Sequence, residues 1–331
     1  MTTISNTLTT SSSWDTICFP VRAERLCDYL PNDFQVLASD RRRIVVGDLP
    51  NGAKGVFAVQ SEDYSIAPNA LIRSVVEQEI TRYEMNIRAS QKGEYSINII
   101  LPDIIQVGGE RLHKNLIINN SYTGKTPFTI QGMTVNTRTR RESRVRVSYY
   151  RKVCANGLMG WVDSFLSMDE YLNWLIAGKP KKYEDARDER TSIEEVVHTE
   201  TDKEMVVEGR FTHKHLELDW LATYLKQTIR AFLTHEGSLT AQVYERLAQT
   251  SLADHRVETV LAATKLPKML AKLALERMQY EERLLKSEPT LWLVYNAVNY
   301  ALHQGDSSLT ISERFKADEA ALHRLVALTL N

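Results

Sequence analysis

Seven cations crowd one short run, Arg138, Arg140, Arg141, Arg144, Arg146, Arg151 and Lys152, and Glu142 is the one acid among them. Guanidinium groups donate paired hydrogen bonds to phosphate oxygens, so this density of arginine is the chemistry of phosphate-backbone binding. Tyr149 and Tyr150 sit inside the same run. Tyrosine rings beside backbone-binding arginines are the pairing used to hold unpaired bases by stacking. The six arginines and Lys152 are therefore candidate phosphate contacts, and the two tyrosines candidate base platforms. The competing reading is a solvated edge strand, because charges on an edge protect it from pairing with another sheet.

Other groups could do chemistry of a different kind. Cys154 stands beside Asn156 and Gly157 in a Cys-Ala-Asn-Gly turn, and turns can present a nucleophile. No histidine is placed beside this thiol by the sequence, and a free cysteine is more often a small buried hydrophobe. His213, His215 and Glu217 are spaced by two, so on a strand they would share a face and, with His198, could hold a metal. On a helix the same spacing throws them apart. Surface histidines at a helix entrance are the simpler reading, and no cofactor is expected. Asp103, Glu110 and Lys114 do not have nuclease spacing, since Gly108-Gly109 breaks the segment between the two acids. Gly124-Lys125-Thr126 lacks the upstream glycine loop of a P-loop.

These residues need elements to hold them. Arg144 to Val153 alternates polar and apolar at its start, which predicts a strand. Residues 40–60 read as a hairpin turning at Leu49-Pro50-Asn51-Gly52, and Asn69 as the N-cap of a helix running to about Ile87. Tyr95–Leu101, Lys114–Asn119 and Phe128–Val135 are further predicted strands, with a connection starting at Pro102-Asp103. Beyond Trp161 the pattern turns helical: 164–176, 216–237, 239–249, 253–265, 267–286, 290–303 and 311–330. The predicted class is α+β, an N-terminal, mainly antiparallel sheet with one packed helix followed by an all-helical C-terminal region. The expected organisation is a disordered tail over 1–16, a sheet domain over 17–162, a charged linker and helix over 163–215, and a helical domain over 216–331.

Composition limits the partners. Across 331 residues the net charge is −1, so a polyanion-binding surface must be a local patch. Three scattered cysteines do not make a disulfide framework, which fits a reducing, cytoplasmic setting. The Ser/Thr-rich start lacks the charged and apolar regions of a signal peptide. No apolar run approaches the length needed to span a membrane.

Several separated pieces resemble one family, the phage/plasmid-like proteins of phages, prophages and plasmids, a domain of unknown function. They are Asp63-Tyr64 with Asn69, Asn120-Ser121-Tyr122-Thr123-Gly124, Arg151-Lys152-Val153-Cys154-Ala155-Asn156-Gly157-Leu158, and Trp292-Leu293-Val294-Tyr295-Asn296-Ala297. The third is the most specific. The resemblance implies carriage on a mobile element and brings no catalytic residues with it. The resulting expectation is a non-enzymatic nucleic-acid-binding protein, with single strands as the form suited to stacking tyrosines. An interaction or anti-defence factor that binds a host protein is the alternative, and a metal enzyme at His213 and His215 the third. A homo-oligomer would suit a strand-binding ring or filament.

Overall fold

The computed structural model describes residues 8–31, 41–131, 135–136, 145–153, 156–158, 160–165, 167–178, 206–207, 210–211, 213–236, 238–252, 257–286 and 288–330. The fold is α+β: an antiparallel sheet that curls into a half-barrel with one helix, then helices in the C-terminal region. The main sheet is built from β1 (Leu8–Ser11), β5 (Glu84–Ser90), β6 (Glu94–Val107), β7 (Glu110–Ser121), β10 (Ser148–Arg151) and β11 (Asn156–Leu158), in that order. β8 (Phe128–Gln131) pairs a second stretch of β7, and β13 (Arg210–Phe211) pairs β8. A separate sheet holds β2 (Val21–Arg25), β3 (Arg42–Asp48) and β4 (Lys54–Ser61), and β9 (Val135–Asn136) pairs β12 (Val206–Val207).

The β6–β7 hairpin is the spine. Gly108 and Gly109, at φ 54° and 82°, supply the two consecutive positive-φ residues that a tight hairpin needs. Register then pairs Val107 with Glu110 and, beyond an irregularity between Ile100 and Ile104, continues to Glu94 opposite Ser121. Pro102 and Asp103 fall in that irregularity, so the connection expected there is a bulge inside one long strand, a position where a missing N–H is tolerated.

The helices are α1 (Asn69–Glu79), α2 (Met168–Ile176), α3 (Leu218–Thr234), α4 (Leu239–Gln249), α5 (Val257–Ala263), α6 (Lys268–Leu285), α7 (Leu291–Gln304) and α8 (Ile311–Leu328). Side chains alternate across a strand, and the main sheet has two unlike faces. One carries Ile87, Ile97, Ile99, Leu116 and Ile118, all buried, and belongs to the side where Asn120 and Tyr122 meet α1. The other carries Arg88, Ser96, Asn98, Asn115, Asn119 and Ser148, with Ile100 and Ile117 among them, all buried. Helix α7 is buried on all sides from Leu291 to Val298, as expected of a helix clamped between a sheet and other helices.

Several boundaries differ from the sequence reading. The tail expected as far as residue 16 is ordered from Leu8, because β1 pairs β5 and Trp14 enters the core with its indole N–H donated to Tyr83 at 2.9 Å. Helix α1 stops at Glu79, and residues 84–90, which alternate, form β5 instead. Pro68 takes the N-cap position and Asn69 is the first helical residue, its amide spent on tertiary bonds. In the expected linker, 179–205 lies outside the described residues, whereas His213–His215 packs against Asp63–Ser65.

Candidate functional site

Burial divides the cationic run. Arg138, Arg140, Arg141 and Arg144 lie outside the described residues, as does Cys154. Arg146 is 5 % exposed, Tyr149 3 %, Tyr150 5 % and Arg151 1 %. Strand β10 is an interior strand between β7 and β11, with Tyr149 opposite Lys114 and Leu158. Tyr149 and Arg151, which share a face, meet Tyr244 of α4 and Glu281 of α6, and Tyr150 on the opposite face is buried as well, so alternation does not leave one face wet. As surface contacts for a phosphate or a base, Arg146, Arg151, Tyr149 and Tyr150 are therefore withdrawn. Burial also pushes the Tyr149 phenol up to about 12.

Arg151 is neutralised from inside. Its guanidinium donates to Glu110 at 2.6 Å and to Glu281 of α6, whose carboxylate also accepts from Arg277 at 2.6 Å. Glu110 accepts in addition from the Trp292 indole at 3.0 Å. This network ties β7 and β10 to α6 and α7, and it gives Glu110 a structural duty in place of metal binding. Lys152, just outside it, is exposed and paired with Glu84 at 2.8 Å.

The first two motifs meet directly, and the third reaches the fourth only through residues outside both, Glu110 and Asn299. Asn120 donates to the Ala67 carbonyl at 2.7 Å and to Asn69 Oδ1 at 2.8 Å, while the Tyr122 hydroxyl accepts from the Asn69 N–H at 3.2 Å. Ser121 and Thr123 share a hydroxyl contact of 2.7 Å, and Gly124, at φ 71°, lets the chain turn against Gln60. In the third motif, Gly157 lies where a Cβ would stand 2.2 Å from Asn98 Oδ1 and 3.0 Å from Asn115 Nδ2. Its carbonyl faces the amide of Asn299 on α7 at 3.4 Å. Asn299 also donates to Asp318 of α8 at 3.1 Å, and Asp318 accepts from the Tyr295 hydroxyl at 3.2 Å. Asn296 is buried too, but its amide returns to the Trp292 carbonyl of its own helix at 2.8 Å. Asn156 forms the first residue of β11.

The histidine candidates separate. His213 is buried, contacts the Ser65 carbonyl through Nδ1 at 3.1 Å, and has its pKa pushed down to about 4 by burial. His215 is exposed with φ 53°, and its Nε2 is 4.0 Å from Asp63. The pair does not share a face, His198 lies outside the described residues, and no metal-holding group of three His, Cys, Asp or Glu occurs among the described residues.

What the sequence reading missed is the polar layer itself. Asn98 donates to the Asn86 carbonyl at 3.3 Å and accepts from Asn115 at 2.9 Å. Ser96 Oγ, Ser148 Oγ, Asn115 Oδ1 and Asn299 Oδ1 are buried without a hydrogen-bond partner. The signal was present as amides and hydroxyls on one face of β6 and β7, Ser96 and Asn98, then Asn115 and Asn119 with Ile117 between them. No helix among the described residues is long and apolar enough to cross a membrane. No family model, no curated protein and no solved structure matches the chain.

Proposed function

We propose that the protein binds nucleic acid without catalysis, as the product of a mobile element, through Arg138, Arg140, Arg141 and Arg144. The observation that supports this is the charge imbalance of 138–144, four arginines against Glu142. The described chain on either side is fixed: Val135–Asn136 pairs with Val206–Val207, and Val145 and Val147 are buried in the core. The association with mobile elements comes from the resemblance of the four motifs. With four phosphates neutralised, the logarithm of the binding constant for a single strand should fall against the logarithm of salt with a slope of about −3.

The test is fluorescence anisotropy with a labelled thirty-nucleotide oligo-dT across a salt series. Arg140→Gln with Arg144→Gln should weaken binding and flatten the slope by about 1.4. Binding with an unchanged slope would remove these arginines from the interface, and no binding by the wild type would end the reading.

One observation favours a protein partner as the second reading. β4 is an edge strand among the described residues, with Val56 62 % and Val59 47 % exposed, and exposed apolar edges invite pairing with another chain. A pull-down in which the captured protein survives nuclease treatment and is lost in Val56→Lys would favour it.

A further inference from the structure

Strand β4 carries an irregularity that shapes its outer side. Register pairs Ile44 with Val59, Val45 with Ala58 and Val46 with Val56, so Phe57 is an extra residue with no Cα partner on β3. Residues opposite one another point to the same face of a sheet, and Ile44 and Val46, two apart, share a face. Val56 and Val59 therefore share that face too, although they are three apart along the chain. Val45 and Ala58 mark the other face, which packs into the core. Phe57 packs there as well, its ring 5.3 Å from that of Tyr122 and 6.1 Å from that of Phe19. The bulge is held from inside, and the outward spacing of the two valines is fixed with it.

That spacing limits what can pair here. Val56 and Val59 are 62 % and 47 % exposed, on the strand that ends the order β2-β3-β4 among the described residues. A regular strand presents residues of one face at every second position, so laid along β4 it can match one valine and not both. A second β4, running antiparallel about a two-fold axis, has the same three-residue spacing. Val56 then stands opposite Val59 of the second copy, and Val59 opposite its Val56, with two residues between the pairs on each strand. Charge agrees with the same register. Lys54, the one charged residue of β4, comes opposite Ser61 and beside Glu62 of the second copy, so no like charges stand directly opposite.

We infer that the protein forms a two-fold dimer by antiparallel pairing of β4 with β4 of a second copy, which joins two three-stranded sheets into one of six strands. The inference rests on the reading of β4 as an edge that takes a protein partner, and names that partner. Each copy offers the same patch to the other, so the contact closes at two and builds no ring or filament.

Sedimentation velocity of the full chain over a concentration series, with two double variants, tests it. Wild type should pass from monomer to dimer as concentration rises and go no further. Val56→Lys with Val59→Lys sets like charges opposite at both valine pairs and should raise the dissociation constant by about tenfold. Val56→Lys with Val59→Glu sets opposite charges at the same two pairs and should dimerise about fivefold more tightly than the lysine pair. Both positions are exposed, so both variants should keep the wild-type circular dichroism spectrum. A wild type that stays monomeric at every concentration would overturn the pairing, and so would a dimer that the two lysines leave intact. Equal loss in both variants would overturn the antiparallel register. Failure of the underlying reading is separate. A monomeric wild type that still captures a nuclease-resistant protein, lost in Val56→Lys, overturns self-pairing alone, and one that captures nothing ends both.

Discussion

Gly157→Ala isolates the junction between sheet and helices. Gly157 has no positive φ to defend, so any cost comes from space. The added Cβ would stand 2.2 Å from Asn98 Oδ1 and 2.8 Å from Ile117 Cδ1. Asn98 Oδ1 must retreat by about 1 Å to reach an ordinary contact, and it is the acceptor for the Asn115 amide at 2.9 Å. Asn115 is wholly buried and its own Oδ1 already lacks a partner, so the retreat strands both ends of that side chain. Overpacking costs about 1–3 kcal/mol, and an orphaned buried polar group about 1–3 kcal/mol more. The expected loss is about 4 kcal/mol, read as a lower urea midpoint at unchanged slope. Asn98→Ala removes the clashing atom, so Gly157→Ala should cost less on that background, with a coupling of about 1–3 kcal/mol in the double-mutant cycle. A Gly157→Ala protein within about 0.5 kcal/mol of wild type would refute the close approach, and additive effects would refute its assignment to Asn98.

Two further predictions follow from charge and burial. Arg151→Met leaves Glu281 charged in the interior and should cost about 3–5 kcal/mol, much of it recovered on adding Glu281→Leu; neighbouring Lys152→Ala breaks only an exposed pair and should stay within about 1 kcal/mol of wild type by urea unfolding. His213 is neutral in the fold, with a pKa of about 4 against 6.5 for the free side chain. The unfolded chain therefore binds the extra proton, and the stability that this histidine contributes is present above pH 6.5 and lost as pH falls toward 4. Between pH 6 and 4.5 the stability slope of wild type should exceed that of His213→Gln by about 1.4 kcal/mol per pH unit, and parallel curves would show that His213 is not held neutral by burial.

The α+β class and the helical second half were legible because periodicity is a local signal. Leu239–Gln249 was read with both ends in place, since Ser238 caps it and Thr250 ends it. The end of α1 was missed because Ile80 and Tyr83 extend the apolar stripe, and only pairing with β6 shows that Glu84–Ser90 is a strand. For the candidate site, sequence showed where the cations are and not which would be enclosed. Arg151 looks like its neighbours in a linear reading, and its partners Glu110 and Glu281 stand far from it along the chain. The motif residues were found by resemblance, but the pairing of Asn69 with Asn120, and the contact of Gly157 with Asn299, a residue outside the motifs, exist only in three dimensions.

The fate of Arg151 bears on where recognition can occur. A guanidinium that is 1 % exposed and already bonded to two carboxylates is out of a phosphate's reach, and removing either acid to free it would leave buried charge behind. The same run that suggested an interface therefore divides: Arg151, its last arginine, fastens the helical half to the sheet, while Arg138, Arg140, Arg141 and Arg144 lie outside the described residues. Any phosphate-binding surface built on this run would have to lie before Arg146, because Arg146, Tyr149, Tyr150 and Arg151 are enclosed by the fold.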